Sequence, residues 1–154
     1  MISPTGSEST IDGIQFQSTC FACGSDNPHG LQLKFTFDPD GSATASWVPG
    51  SEWEGSHGVV HGGIITTLLD EAMAKAVAAT GSRGMTADLQ VRFRHYAETG
   101  ERLQVRGWVV RQKARLVETE ATLVAADGSE RAHARAKFLI VVKPPTDGRG
   151  VLDK

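Results

Sequence analysis

Residues 62–80 read GGIITTLLDEAMAKAVAAT, and the fold follows from this stretch. Ile65, Leu68, Leu69, Ala72, Met73 and Ala76 fall on one stripe at about 100° per residue, the period of an amphipathic helix. Glu71 and Lys75 stand four residues apart, an i,i+4 pair expected to be solvated on the far side of the helix. Gly81 sits where a C-cap glycine belongs. No other stretch has this period over such a length. Upstream, Leu31, Leu33, Phe35 and Phe37 alternate with Gln32, Lys34 and Thr36, as in a half-buried strand. Asp38-Pro39-Asp40-Gly41 is a turn, and 43–48 reads as the returning strand. Downstream, Leu89, Val91 and Phe93 alternate with Gln90, Arg92 and Arg94. Runs 103–111, 116–126 and 132–142 follow, with Glu98–Glu101 as one turn and Asp127-Gly128 as another. The order β-β-α-β-β-β-β predicts an α+β domain: an antiparallel sheet with one long helix packed on one face.

The chain has 154 residues, enough for one domain with its own core. We expect that domain over 13–143, with a flexible N-terminus at 1–12 and a flexible tail at 144–154, which opens with Pro-Pro. Hydrophobic residues are 40% and charged residues 22%, a composition that excludes a disordered or fibrous chain. Sixteen Lys and Arg against 18 Asp and Glu give a net charge of −2, so no overall field draws nucleic acid or anionic lipid. No apolar run of about 18 residues is present, so no membrane span is expected. The start, MISPTGSEST, lacks the apolar segment of a secretory signal. Two cysteines make no disulfide scaffold, and the expected compartment is the reducing cytoplasm.

The chemistry concentrates in 53–73, WEGSHGVVHGGIITTLLDEAM. His61-Gly62-Gly63 stands at the helix entrance. A helix start presents unpaired N–H groups and a partial positive charge. Glycines there let a ligand oxygen approach the backbone, which makes an oxyanion site; the plainer reading is a tight turn into the helix. Asp70 is an aspartate inside an apolar helix, at the margin of the buried stripe, where it is a poor helix former and pays for desolvation. Gly62 and Asp70 are eight residues apart, about 12 Å along one helix. One subunit cannot bring both to a single reacting carbon. Two antiparallel copies of the helix can, so a shared site requires at least a dimer.

This arrangement resembles the hotdog-fold acyl-CoA thioesterases, with the PaaI-like branch as the nearest match. The resemblance spans roughly 14–143 and rests on four blocks: CFACGSDNPHGLQLKF, VVHGGIITTLLDEAMAKA, MTADLQVRF and GERLQVRG. It implies a sheet wrapped around one central helix. It also implies hydrolysis of an acyl-CoA or related thioester by a homodimer, expected to be a dimer of dimers. The Gly62 N–H would polarise the thioester carbonyl, with Gly63 assisting. Asp70 of the partner subunit would activate water as a general base, or attack directly and form a mixed anhydride. Thr86 would hold the water or the carboxylate, and His61 would orient the loop or thioester. Some relatives carry Asn or Gln six residues before the His; here that position is Gly55. Leu69, Met73 and Val77 are expected to line an acyl tunnel at the helix–helix interface. No cofactor is implied beyond the coenzyme A of the substrate.

Other candidates are weaker. Arg111, Lys113 and Arg115 cluster in a hairpin, and Arg83 and Arg92 lie near other strand ends; any of them is a candidate for the phosphates of coenzyme A, or the cluster is a solvated basic turn. Cys20-x-x-Cys23 is half a zinc site or a redox pair, but no second CxxC follows and His29 finds no fourth ligand at suitable spacing. Packing thiols, and no metal, are the expectation. Two rival functions remain: an acyl-CoA-binding protein without catalysis, and an enoyl-thioester hydratase or dehydratase.

Overall fold

The computed structural model describes residues 10–11, 14–15 and 19–142. The expectations for 1–9 and 144–154 fall outside these residues. Strands β1 (Thr10–Ile11) and β2 (Ile14–Gln15) form a small antiparallel hairpin. Strands β3 (Thr36–Phe37) and β4 (Ala43–Trp47) precede helix α1 (Gly62–Ala78). Strands β5 (Arg83–Phe93), β6 (Leu103–Lys113), β7 (Leu116–Ala125) and β8 (Glu130–Val142) follow it. The main sheet has six strands in the order β3-β4-β6-β7-β8-β5, and every pair is antiparallel. From the end of α1 the chain enters the sheet at the edge opposite β3 and β4, so the sheet embraces the helix from both sides. This is the antiparallel sheet with one long helix expected from the order of elements, in the hotdog arrangement that the resemblance implies.

The helix sits deep because the sheet beneath it is lined with small residues. Ala43, Gly107, Ala121, Ala134 and Val91 pair in one row across β4, β6, β7, β8 and β5. A Cβ added at Gly107 would lie 2.5 Å from the carbonyl carbon and oxygen of Ala72 and 2.8 Å from the Met73 nitrogen. Helix backbone therefore touches sheet backbone at that point. Leu68, Leu69, Met73 and Val77 pack around it at 1% exposure or less. Each contributes roughly 1.5–3 kcal/mol through burial.

The opposite flank of the helix is not open. Ala22, Leu31 and Leu33 join the same core as Ile65 and Leu68, so the segment before β3 lies over α1. Leu31 and Leu33 are buried and Gln32 and Lys34 exposed, as the alternation requires. The strand itself is shorter than expected. Gln32 has φ 51°, and the N–H groups of Leu31 and Leu33 go to the carbonyls of Phe21 and Ala22 instead of a ladder. Phe21 and Trp53 meet edge to face at 6.3 Å and pin this segment to the loop before the helix.

The covering segment also corrects the solvated reading of Glu71 and Lys75. They pair, with Nζ 3.7 Å from Oε1, but Lys75 is only 6% exposed. The wheel shows one buried stripe; the second is created by tertiary contact. The helix stops as expected. Gly81 takes a φ of 84° and its N–H bonds to the Ala78 carbonyl. The Asp127-Gly128 turn forms as well, with Gly128 at a φ of +83° and its N–H on the Ala125 carbonyl. Among the described residues no helix is long and apolar enough to cross a membrane.

Candidate active site

On α1, Gly62 and Gly63 are exposed and Ile64, Thr66, Thr67, Asp70, Glu71 and Ala74 are partly accessible; Gly63, Thr67, Asp70 and Ala74 form one stripe of these. Asp70 is half-buried at the edge of this stripe, and its Oδ1 accepts a hydrogen bond from Thr86 Oγ1 at 2.8 Å. Thr86 reaches it from β5, sixteen residues away. Burial pushes the Asp70 carboxyl above the ordinary aspartate range, and the Thr86 hydroxyl pulls part of that back. The result is a carboxylate held in one orientation beside accessible space, with raised proton affinity.

The helix start supplies the complementary group. His61 is the N-cap, and its Nδ1 accepts the Gly63 N–H at 2.8 Å. The N–H groups of Ile64 and Ile65 both go to the His61 carbonyl. Of the first four helical N–H groups, that of Gly62 alone has no acceptor among the described residues. Gly62 is exposed, and a Cβ there would lie 3.5 Å from the Phe93 ring. His61 and Gly63 thus engage each other, and Gly63 spends its N–H inside the chain. Gly55 lies against His61, where a Cβ would stand 3.2 Å from the His61 Cα. A larger residue at that position needs a shifted loop.

The structure separates Gly62 from Asp70 along the helix as expected. It also shows that α1 and β5 run antiparallel: Gly62 lies by Phe93, Asp70 by Thr86, and Val77 by Gly84. Among the described residues strand β5 pairs only with β8, so none of them pairs with its outer edge. Met85 and Phe93 on this strand are 61% and 53% exposed.

Other predicted contacts are placed differently. Leu69, Met73 and Val77 face their own sheet in the core rather than the accessible stripe, so they offer no surface to a ligand in the protomer. Arg111 is held by Glu118 through two hydrogen bonds, at 3.0 and 2.9 Å, and Arg115 donates to the Ile140 carbonyl. A hollow of about 480 Å³ instead gathers Arg92 on β5, Arg94 just after it, and Glu130, His133 and Arg135 on β8. Four of these groups come from two strands distant in sequence, a grouping that only the register Arg92↔His133 reveals. Cys20, Cys23 and Glu71 come together under the covering segment.

A model of the thioesterase superfamily matches residues 57–132, which hold His61, Gly62, Asp70 and Thr86. No curated protein sequence matches the chain. Among solved structures, a thioesterase superfamily protein is 26% identical with a TM-score of 0.79, covering 89% of this chain and 69% of its own. A hypothetical thioesterase of Streptococcus pneumoniae TIGR4, solved with coenzyme A, is 17% identical with a TM-score of 0.69, covering 73% and 91%. Structures of that protein also exist with an aspartate, and a threonine sixteen residues after it, each replaced by alanine. The Escherichia coli PaaI protein from the phenylacetic acid degradation operon is 20% identical with a TM-score of 0.68, covering 72% and 80%. With the sheet wrapped around α1 and the matched segment carrying the helix and its entrance, the chain has the hotdog fold and is similar to the thioesterase superfamily over that segment.

Proposed function

We propose that this protein hydrolyses acyl-CoA or aryl-CoA thioesters at a site shared by two subunits. The observation that carries the reading is the pair of complementary groups on α1: a Thr86-bonded, half-buried Asp70 and an unpartnered Gly62 N–H. The free edge of β5 supplies the assembly. Two β5 strands pairing antiparallel about their middle bring two α1 helices antiparallel as well. Leu89 and Gln90, close to the middle of β5, lie beside the middle of the Gly62–Asp70 interval, because Phe93 marks one end of that interval and Thr86 the other. Gly62 of one protomer then faces Asp70 of its partner, twice per dimer.

In this arrangement the Gly62 N–H polarises the thioester carbonyl and stabilises the oxyanion that forms. Asp70 takes a proton from the attacking water, and Thr86 fixes the carboxylate. The tetrahedral intermediate expels the thiolate of coenzyme A, which is protonated on release. Direct attack by Asp70 through an anhydride uses the same geometry. Arg92 is the arginine of the hollow best placed for the phosphates of coenzyme A, because Arg94 and Arg135 pair with Glu130 and Glu120, at 3.5 and 3.1 Å, as Arg111 and Arg115 are engaged elsewhere. The structure of a relative with coenzyme A supports this choice of substrate class, and a dimer of such dimers remains our expectation for the assembly.

The test is thiol release from a panel of acyl- and aryl-CoA esters, wild type beside Asp70→Asn. Release by the wild type and a loss of about 10²-fold or more in a variant that stays dimeric support the reading. Tight binding of the esters without thiol release would show a binding protein instead. A change in acyl unsaturation without thiol release would show a hydratase.

A further inference from the structure

The flank of α1 beneath the covering segment holds a second set of reactive groups. Cys20 and Cys23 stand at the two ends of a turn closed by the Gly24 N–H on the Cys20 carbonyl at 2.8 Å. Their sulfurs and a Glu71 carboxylate oxygen lie within 4.8 Å of one another. Both thiols are free and partly exposed. The Cys20 sulfur lies near the Cys23 thiol and the N–H groups of Cys23 and Ala22, and all three favour its charged form. Lys75, beside Glu71, adds positive charge. Cys23 also neighbours the Glu71 carboxylate, which disfavours its charged form. One cysteine is thus arranged as a thiolate and the other as a protonated thiol behind it.

We propose that Cys20 and Cys23 form a thiol–disulfide exchange site whose co-reactant is a low-molecular-weight disulfide. The Cys20 thiolate attacks one sulfur of that disulfide, breaks its S–S bond and releases one thiol, leaving a mixed disulfide on Cys20. Cys23 then gives its proton to Glu71, and its sulfur attacks Cys20 Sγ. The internal disulfide forms and the second small thiol departs with a proton. Two protein thiols are oxidised and one small disulfide is reduced to two thiols.

The charges support this assignment. Hydrogen bonding from Cys23 pulls the Cys20 thiol down to about 5, while the same bond, burial and Glu71 push Cys23 up. A divalent metal fits less well: the Lys75 ammonium already places a cation beside the carboxylate, and the described residues bring three ligand atoms together where a structural zinc takes four.

The test treats the full chain with oxidised glutathione and follows intact mass and free thiols. The wild type should lose both thiols and two hydrogens, with no lasting adduct. Cys23→Ser should stop at a single glutathionyl adduct on Cys20, and Cys20→Ser should not react. The rate of adduct formation on Cys23→Ser should change less than about twofold between pH 8 and 6, where an ordinary thiol loses about 75-fold through its thiolate fraction. This profile is read on the single-thiol protein and does not depend on thioester hydrolysis. A wild type that stalls as a mixed disulfide overturns the proposal. So do an ordinary thiol pH profile and a stoichiometric bound metal that protects both thiols.

Discussion

If Gly62 and Asp70 serve one site from different subunits, two inactive variants should rescue each other. The first variant is Gly62→Pro, which deletes only the N–H. Proline is favoured at the first helical position, where its missing N–H breaks no helix bond. His61 already has φ −58° and ψ 134°, the extended geometry required before proline. A Cβ at Gly62 meets the Phe93 ring at 3.5 Å, an ordinary contact. The second variant is Asp70→Asn, which keeps an acceptor for the Thr86 hydroxyl. Alone, each should lose about 10²-fold or more in kcat/KM. Mixed before assembly, half of the dimers contain one subunit of each kind. In a mixed dimer one site joins an intact Gly62 to an intact Asp70, and the other lacks both. The mixture should therefore regain roughly one quarter of wild-type thiol release, and mixed dimers isolated through two different tags roughly one half. The assay is thiol release after co-refolding, with size-exclusion chromatography to count subunits. Isolated mixed dimers no more active than their parents would refute the shared site.

Other outcomes follow from the same geometry. Because burial raises the folded-state affinity of Asp70 for its proton, the acid limb of kcat/KM should lie above the ordinary aspartate value of about 3.9. The unfolded state binds fewer protons there than the folded state, so this group costs stability as pH rises from its unfolded to its folded pKa. Above that window Asp70→Asn should melt higher than wild type despite its lost activity; a lower melting point by calorimetry would contradict the desolvation argument. Thr86→Val removes the hydroxyl that favours the charged form. It should move the acid limb further up and reduce kcat/KM at neutral pH by about tenfold. Gly107→Ala forces a methyl group to within 2.5 Å of the Ala72 backbone, so α1 must lift from the sheet. We expect a loss of roughly 3 kcal/mol in denaturant unfolding and a fall in Tm of roughly 10 °C.

The helix, the turns and the long strands were readable because each depends on local periodicity or on one permissive residue. The Asp70–Thr86 bond was not readable from spacing: the family resemblance suggested Thr86, and the strand crossing to the far edge of the sheet delivers it. Glu71 and Lys75 were misread because a helical wheel shows which face is apolar but not how many neighbours cover the helix. The covering segment that buries them is extended chain without a ladder, and its alternation signals burial without saying against what. Leu69, Met73 and Val77 show the same limit from the other side. Their spacing marks a buried face, and only the wrapped sheet decides that its own strands, not a ligand, fill that face.

The contact between Gly107 and the Ala72 backbone acts as a fixed pivot. A separation set by two main chains does not depend on the size of the side chains around it. Drift among the surrounding leucines and valines can tilt α1 about this point but cannot raise it. Asp70, half a turn before Ala72, swings on a short arm and keeps its reach to β5 while the rest of the core changes. Natural variation in the aliphatic residues should therefore be broad, while a side chain at this one glycine should be rare among sequences that retain the activity.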